Sequence, residues 1–185
     1  MFSSWYAEAQ REAPIDPNIV ALATATESGR PSVRMVFYRG IREGGFSFFT
    51  NYESRKGREL AANAFAAMAF YWPHLGRQVR IEGSVNRLSA KESDSYFVSR
   101  SFGSHITAVA SRQSRPMLDE NEFTRQLTHL EQLSAGKQTA RPDEWGGLKI
   151  LPSVFEFWIR GEHRRHKRIL YTKEGKLWSA IRLYP

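Results

Sequence analysis

Ile19-Val-Ala-Leu-Ala-Thr-Ala25 and Pro31-Ser-Val-Arg-Met-Val-Phe-Tyr38 are two β-prone segments separated by Glu27-Ser-Gly-Arg30, and this pair decides the fold. Gly29 supplies the dihedral freedom of a tight turn, so the two segments read as a β-hairpin. Downstream, Gly44-Gly45 precedes a third strand, Phe46-Ser-Phe-Phe-Thr50. Ser54 then offers an N-cap for a short helix through about Ala62. Ala66-Ala-Met-Ala-Phe-Tyr-Trp72 and Gln78-Val-Arg-Ile-Glu-Gly-Ser-Val85 are further strands on either side of Pro73-His-Leu-Gly76. Upstream, residues 3–12 have helical composition. Ser89 caps another helix, and Phe123, Leu127, Leu130 and Leu133 give the stretch Asp119 to Leu133 helical spacing; both helices are expected to pack on the sheet. The last third returns to strands at Leu148–Ile159, Arg164–Tyr171 and Leu177–Leu183, with Lys173-Glu-Gly-Lys176 as the final hairpin turn. The sum is six to eight strands joined mostly by hairpins, a mainly β antiparallel barrel with inserted helices, in a single domain spanning residues 1–185. This is not a βαβ alternation, and neither a G-x-G-x-x-G turn nor a Walker lysine loop is present.

Composition narrows the function. The chain has 185 residues, 41% hydrophobic and 25% charged, with a mean hydropathy of −0.50, as expected of a globular domain with no apolar run long enough to cross a bilayer. Cysteine is absent, which excludes disulfides and thiolate metal sites. Phe2-Ser-Ser-Trp-Tyr-Ala-Glu lacks the basic flank and apolar stretch of a secretory signal, so the expected address is cytoplasmic. A net charge of +8 and a pI near 10.0 point to an anionic partner: nucleic acid, a membrane surface or a phosphorylated small molecule.

The positions of the cations weigh these options. Ser54-Arg55-Lys56-Gly57 places two cations and a hydroxyl at a helix start, where unpaired N–H groups favour an anion; the alternative is a solvated basic first turn. Tyr96, Arg100 and Ser104 recur every four residues, a trio suited to a phosphate monoester if one helix carries them all, and otherwise a solvent-facing stripe. In Glu162-His-Arg-Arg-His-Lys-Arg168 an extended chain turns Arg164, His166 and Arg168 to one face and Arg165 and Lys167 to the other. That face lines a site or guards a sheet edge. Gln78, Gln113 and Ser114 add uncharged donors and acceptors suited to a heterocycle. His163 and His166 lack accompanying carboxylates at ligand spacing, so no metal site is expected. With no thiol and no G-x-S-x-G elbow, an enzyme built on this chain would draw its reactive centre from a cofactor.

Taken together, Arg34-Met-Val-Phe-Tyr-Arg39, Phe48-Phe-Thr-Asn-Tyr-Glu-Ser-Arg-Lys-Gly57, Arg77-Gln-Val-Arg-Ile-Glu-Gly83, Tyr96-x3-Arg100-x3-Ser104, Ala110-Ser-Arg-Gln-Ser114, Trp145-Gly-Gly147, Glu156-Phe-Trp158, Arg164-x-His166-x-Arg168 and Arg182-Leu-Tyr-Pro185 resemble the pyridoxamine 5′-phosphate oxidase family of the FMN-binding split-barrel superfamily. The resemblance runs from about Phe2 to Pro185. It implies an FMN-dependent oxidase that converts pyridoxamine or pyridoxine 5′-phosphate to pyridoxal 5′-phosphate, reduces O2 to hydrogen peroxide, and works as a homodimer with FMN at the interface. By the same resemblance, Arg34, Met35, Val36, Phe37, Phe49, Thr50, Arg55, Lys56, Gln78, Gln113, Ser114, Trp158 and Arg168 fall on flavin-binding positions. Arg39, Tyr96, Arg100, Ser104, Arg164 and His166 fall on substrate positions, with Arg164 and His166 the catalytic pair, assigned positioning first because an arginine makes a poor base.

The chain departs from the usual family pattern in places. Arg39 replaces a lysine, Ser101 stands where proline is common, His105 where glutamine is usual, and Arg165 and Lys167 put cations between the residues of the last motif. These departures touch substrate selection more than flavin binding. They leave as the alternative a split-barrel flavin oxidase acting on another ring, such as a phenazine precursor. A basic nucleic-acid-binding barrel without flavin is the weaker rival; neither nucleic acid nor membrane is expected as a partner.

Overall fold

Among the described residues, apolar side chains at alternate positions build one antiparallel sheet of nine strands. The computed structural model describes residues 1–12, 14–134 and 139–185. Strands β1 (Ile19–Ala25), β2 (Pro31–Phe37), β3 (Ile41–Arg42), β4 (Gly45–Asn51), β5 (Phe65–Trp72), β6 (Arg77–Arg87), β7 (Trp145–Ile159), β8 (Lys167–Glu174) and β9 (Leu177–Leu183) are joined in the order β2-β1-β5-β6-β7-β4-β3, with β8 and β9 branching from β7. Eight of these are the expected strands; the ninth is the two-residue β3, too short to leave a pattern.

The branch makes the sheet a split barrel. One edge of β7 pairs with β6 along its length. The other edge pairs with β4 over Trp145–Ile150 and with β8 over Val154–Ile159. At the fork β6 carries a register shift between Glu82 and Gly83, and a Cβ on Gly83 would lie 2.0 Å from the Leu151 carbonyl oxygen, so only glycine fits. The chain leaving β2 is stapled to β4: Arg39 N–H donates to the Ser47 carbonyl at 2.8 Å and Ser47 N–H donates to that of Gly40 at 3.0 Å.

The inward set is Val20 and Leu22, Met68 and Phe70, Val79 and Ile81, Phe48 and Ile150, all fully buried. Helix α1 (Phe2–Glu12) closes one end of the barrel by seating the Phe2 ring against Tyr38, Phe46, Phe70 and Trp72. Burying such a ring is worth roughly 2–3 kcal/mol.

Helix α2 (Arg55–Ala62) follows β4 directly and is capped as expected, Ser54 Oγ accepting from Gly57 N–H at 3.3 Å. Ser89 likewise caps α3 (Ala90–Val98), accepting from Glu92 N–H. Three expectations need correction. The Tyr96-Arg100-Ser104 spacing does not lie on one helix: α3 stops at Val98, and α4 (Phe102–Ala110) starts after Ser101 takes an extended conformation (φ −66°, ψ 153°). Helix α5 (Glu120–Ser134) buries no residue and lies against α4 rather than on the sheet. Arg164 and His166 are not in a strand either. Residues Glu162–Arg164 form a 3₁₀ turn with His163 (φ 50°) and Arg164 (φ 62°) left-handed, and β8 begins only at Lys167.

Candidate active site

Two groups of polar residues stand on different parts of the molecule, and the larger lines a cleft of about 1010 Å³. Its walls are β2, the β4–α2 junction, the α3–α4 junction and the Gln113-Ser114 loop. Of the residues singled out above, Arg34, Met35, Val36, Phe37, Arg39, Phe49, Thr50, Arg55, Lys56, Tyr96, Arg100, Ser104, Gln113 and Ser114 line it.

At one wall the N-terminus of α2 forms a cationic seat. Lys56 Nζ is buried and donates to Thr50 Oγ1 (3.1 Å), Ser54 Oγ (3.2 Å) and Gln113 Oε1 (3.1 Å), all neutral oxygens. Desolvation, with the Arg34 guanidinium second, lowers its pKa to about 8 against a weaker opposing pull from Glu59. Arg34 and Arg55 flank it, and both are held by one buried carboxylate. Glu59 accepts from Arg55 Nε at 2.9 Å, Arg34 Nη2 at 3.3 Å, Ser32 Oγ at 2.6 Å and the Thr24 hydroxyl. Burial opposes ionisation of Glu59, but the bonds from Ser32, Thr24 and Arg55 and the Arg34 charge outweigh it and hold the pKa at about 2. Because Glu59 engages Arg55 through Nε, both terminal nitrogens of that guanidinium remain for an anion. Three cations against one carboxylate leave this seat a surplus of two positive charges, matching a phosphate monoester dianion.

A second cationic seat lies across the cleft. Tyr96 is stacked on Phe49 (centroids 3.8 Å, 23°) and lies parallel to Trp145 (6.2 Å, 5°). The Arg100 guanidinium carbon sits 4.7 Å from the Trp145 ring, and that of Arg39 5.8 Å from the Tyr96 ring. Arg100 Nη1 is buried with no hydrogen-bond partner among the described residues, and desolvation, partly offset by Tyr96, lowers the pKa of this guanidinium. A buried donor without an acceptor costs free energy that an anion at this point restores. Trp145, Ser99 and Ser101 also line the cleft.

Between the seats runs β2, an edge strand that among the described residues pairs with β1 alone, leaving its outer backbone N–H and C=O groups to the opening. Opposite it, Ser114 is left-handed (φ 69°), an unusual conformation for serine, and it places the Gln113 amide beside Lys56.

The smaller group comprises Gln78, Trp158, Arg164, His166 and Arg168, and the cleft lining includes none of them. Gln78, Trp158 and Arg168 stand directly opposite one another across β6, β7 and β8, so their side chains form a row on one face of the sheet. The His166 ring packs on Trp158 (4.6 Å) and its Nδ1 accepts from Gly161 N–H at 3.2 Å, which puts the ring proton on Nε2. Glu156, also buried, accepts from Arg168 Nε at 2.7 Å and Arg80 Nη1 at 3.2 Å. The strand alternation expected of Arg164, His166 and Arg168 is replaced by the 3₁₀ turn, yet His166 and Arg168 remain near Trp158.

Glu59 and Trp145 were not among the candidate residues. The Arg55–Glu59 spacing of four on a capped helix was the available signal for Glu59. No group of three or more His, Asp or Glu able to hold a metal occurs among the described residues.

Comparison with known proteins identifies the architecture. Residues 6–134 match the family model described as pyridoxamine 5′-phosphate oxidase, and residues 145–185 match that of the pyridoxine 5′-phosphate oxidase C-terminal dimerisation region. The chain is 46% identical over 185 residues to a pyridoxine/pyridoxamine 5′-phosphate oxidase of Gluconobacter oxydans, covering all of this chain and 92% of that one. It is 47% identical over 184 residues to the protein of the same name in Rubrobacter xylanophilus, covering 85% of it. Among solved structures, PhzG of Burkholderia lata in complex with tetrahydrophenazine-1-carboxylic acid superposes with a TM-score of 0.94 at 33% identity, covering all of this chain and 90% of that one. A pyridoxamine 5′-phosphate oxidase-related, FMN-binding protein of Nostoc punctiforme shares the fold, with a TM-score of 0.79 at 18% identity. On two family models and close full-length relatives, the chain belongs to the pyridoxamine 5′-phosphate oxidase family.

Proposed function

We propose that this protein is an FMN-dependent oxidase that converts pyridoxamine or pyridoxine 5′-phosphate to pyridoxal 5′-phosphate. The observation that carries the reading is one cleft with two separate anion seats, room for a phosphorylated cofactor and a phosphorylated substrate side by side. For the amine, the substrate carbon gives up two electrons and its C–N bond is hydrolysed, so amine, O2 and water become aldehyde, ammonia and hydrogen peroxide. FMN, when bound, supplies the electron acceptor that passes the pair to O2.

The residues present fit that cofactor. Arg55 and Lys56, oriented by Glu59 and Gln113, hold its phosphate at the α2 N-terminus. The outer edge of β2 from Arg34 to Phe37, together with Phe49, Thr50 and Ser114, offers backbone and side-chain contacts to its ring system. Arg39, Tyr96, Arg100 and Ser104 hold the substrate phosphate. The unpartnered Arg100 Nη1 supports this reading of the second seat.

Gln78, Trp158, Arg164, His166 and Arg168 lie outside this cleft, which supports a homodimer in which one copy's cleft is completed by these residues of the other. Exposed Val33, Met35 and Phe37 on β2, which line the cleft, are the apolar surface such a partner would cover. In that arrangement Arg164 and His166 orient the substrate ring; Arg164 is exposed, on a turn whose His163 and Arg164 are both left-handed. The chemistry and family are those of small soluble-substrate metabolism, and we place the enzyme in the cytoplasm; no helix among the described residues is long and apolar enough to cross a membrane.

A second reading follows from the superposition on PhzG, solved in complex with a carboxylated phenazine: the Arg39–Arg100 seat would accept a ring carboxylate as well as a phosphate. One experiment separates the two. The FMN-loaded protein is mixed anaerobically with pyridoxamine 5′-phosphate and its visible spectrum followed. Bleaching that reverses on admitting air is the expected result. A flavin spectrum that never bleaches retains the cofactor and rejects the B6 substrate in favour of the other ring.

A further inference from the structure

His105 belongs to no seat described above, yet it is fully buried at the start of α4. Its ring stacks on Phe97 of α3 (centroids 4.5 Å, 14°), and its Nε2 lies 2.5 Å from the Phe97 carbonyl oxygen. A carbonyl can only accept, so Nε2 carries a proton, and in the neutral ring Nδ1 is a bare lone pair. Nδ1 has no partner among the described residues. An unsatisfied buried acceptor destabilises the fold, and an aliphatic residue of similar size would avoid it. What the imidazole supplies in return is a donor to one particular carbonyl.

That carbonyl sits at the junction carrying the second anion seat. Phe97 C=O also accepts from Arg100 N–H at 3.1 Å. On the far side of Arg100, the Ser101 carbonyl accepts from His105 N–H (3.1 Å) and Ser104 N–H (3.0 Å), and the Ser101 and Ser104 hydroxyls are 2.9 Å apart. His105 therefore grips the connection twice, by its ring before Arg100 and by its backbone after it. Arg100 is the residue between the two grips, with Ser104 one residue from the second. Tyr96 stands on α3, Ser104 on α4 and Arg100 on the connection between them, so the ring bond of His105 to Phe97 spans the break that separates the three.

We infer that His105 is a positioning residue for the substrate-phosphate seat, holding Arg100 and Ser104 in register with Tyr96 through its ring bond to the Phe97 carbonyl. The inference rests on the reading of Arg39, Tyr96, Arg100 and Ser104 as that seat.

The test compares His105→Phe, which keeps a stacking ring without the donor, with His105→Gln, which keeps a donor. Steady-state KM and kcat for pyridoxamine 5′-phosphate, the FMN dissociation constant and Tm are measured on the holoenzymes. H105F is expected to raise KM about fivefold, the scale of one hydrogen bond, with kcat within about twofold and FMN affinity unchanged. H105Q is expected to return KM toward the parent value. In an Arg100→Leu background, H105F is expected to add nothing further to KM. If H105F does not fold, His105→Asn, too short to reach the carbonyl, takes its place. A folded variant with parental KM, a KM effect that adds to that of R100L, or an FMN affinity that falls in step with KM overturns the inference. An R100L protein whose own KM is unchanged overturns the reading of the seat, and the inference with it.

Discussion

Lys56 shows how a single residue can make cofactor binding depend on pH. Its ammonium is surrounded by neutral oxygens and titrates near 8, whereas a phosphate monoester is a dianion from about pH 7 upward. Phosphate binding favours the charged lysine and the dianion, so apoprotein affinity for FMN is expected to be greatest between about pH 7 and 8 and to fall by up to about tenfold per unit above pH 8. Flavin fluorescence quenching between pH 6.5 and 9.5 measures this; Lys56→Met should bind roughly 10–100-fold more weakly at pH 7 and lose the slope. A K56M protein that keeps the parental slope would remove Lys56 from the phosphate seat. Glu59 acts in the acid range. Its folded pKa of about 2 lies below the ordinary glutamate value, so the stability it contributes is complete above about pH 4.5 and is lost as pH falls toward 2. Glu59→Gln should lower Tm at neutral pH and flatten its decline between pH 5 and 2.5, as read by thermal melts across that range.

At the scale of elements, Gly57 ties α2 to the loop before it. A Cβ there would lie 2.1 Å from the Tyr52 carbonyl oxygen, a backbone atom that cannot swing aside. Gly57→Ala, ordinarily favourable inside a helix, should here cost roughly 1–3 kcal/mol and loosen FMN binding with it, because the first turn of α2 carries Arg55 and Lys56. Equal Tm and FMN affinity in parent and variant would show that the first turn of the helix shifts without consequence. The same elements show what a sequence reveals. The β1–β2 hairpin, the Ser54 and Ser89 caps and the alternation of Gln78–Val85 were readable because each is fixed by residues a few positions apart. The break at Ser99–Ser101 was not, since spacing of four continues across it and the extended backbone at Ser101 leaves no mark in that spacing. The expected strand began at Leu148, but Trp145-Gly-Gly147 opens β7, its glycines placed against the Tyr52 hydroxyl and the Phe49 ring, partners nearly a hundred residues away. Arg164 and His166 were assigned to a strand by composition, whereas Gly161 and two left-handed residues turn the chain first.

Across the whole molecule, some cations are neutralised by carboxylates away from the cleft and others line it. Arg42, Arg77, Arg80, Arg141 and Lys149 pair with acids, while Arg39, Arg55, Lys56 and Arg100 face the cleft. Candidate residues nonetheless fall into two groups that no single cleft unites, and subunit mixing tests why. Arg100→Leu damages the cleft, and His166→Leu damages the Trp158 group; each homodimer alone is expected to retain FMN and lose most turnover. In a heterodimer of the two variants, one site combines both lesions, and the other combines the intact cleft of the H166L copy with the intact His166 of the R100L copy. Free exchange of equal amounts makes half the dimers mixed, so about a quarter of all sites should regain parental turnover. The assay is activity after co-incubation and subunit exchange, against unmixed controls. If each site is complete within one copy, every site carries one lesion, and mixing yields only the average of the two variants.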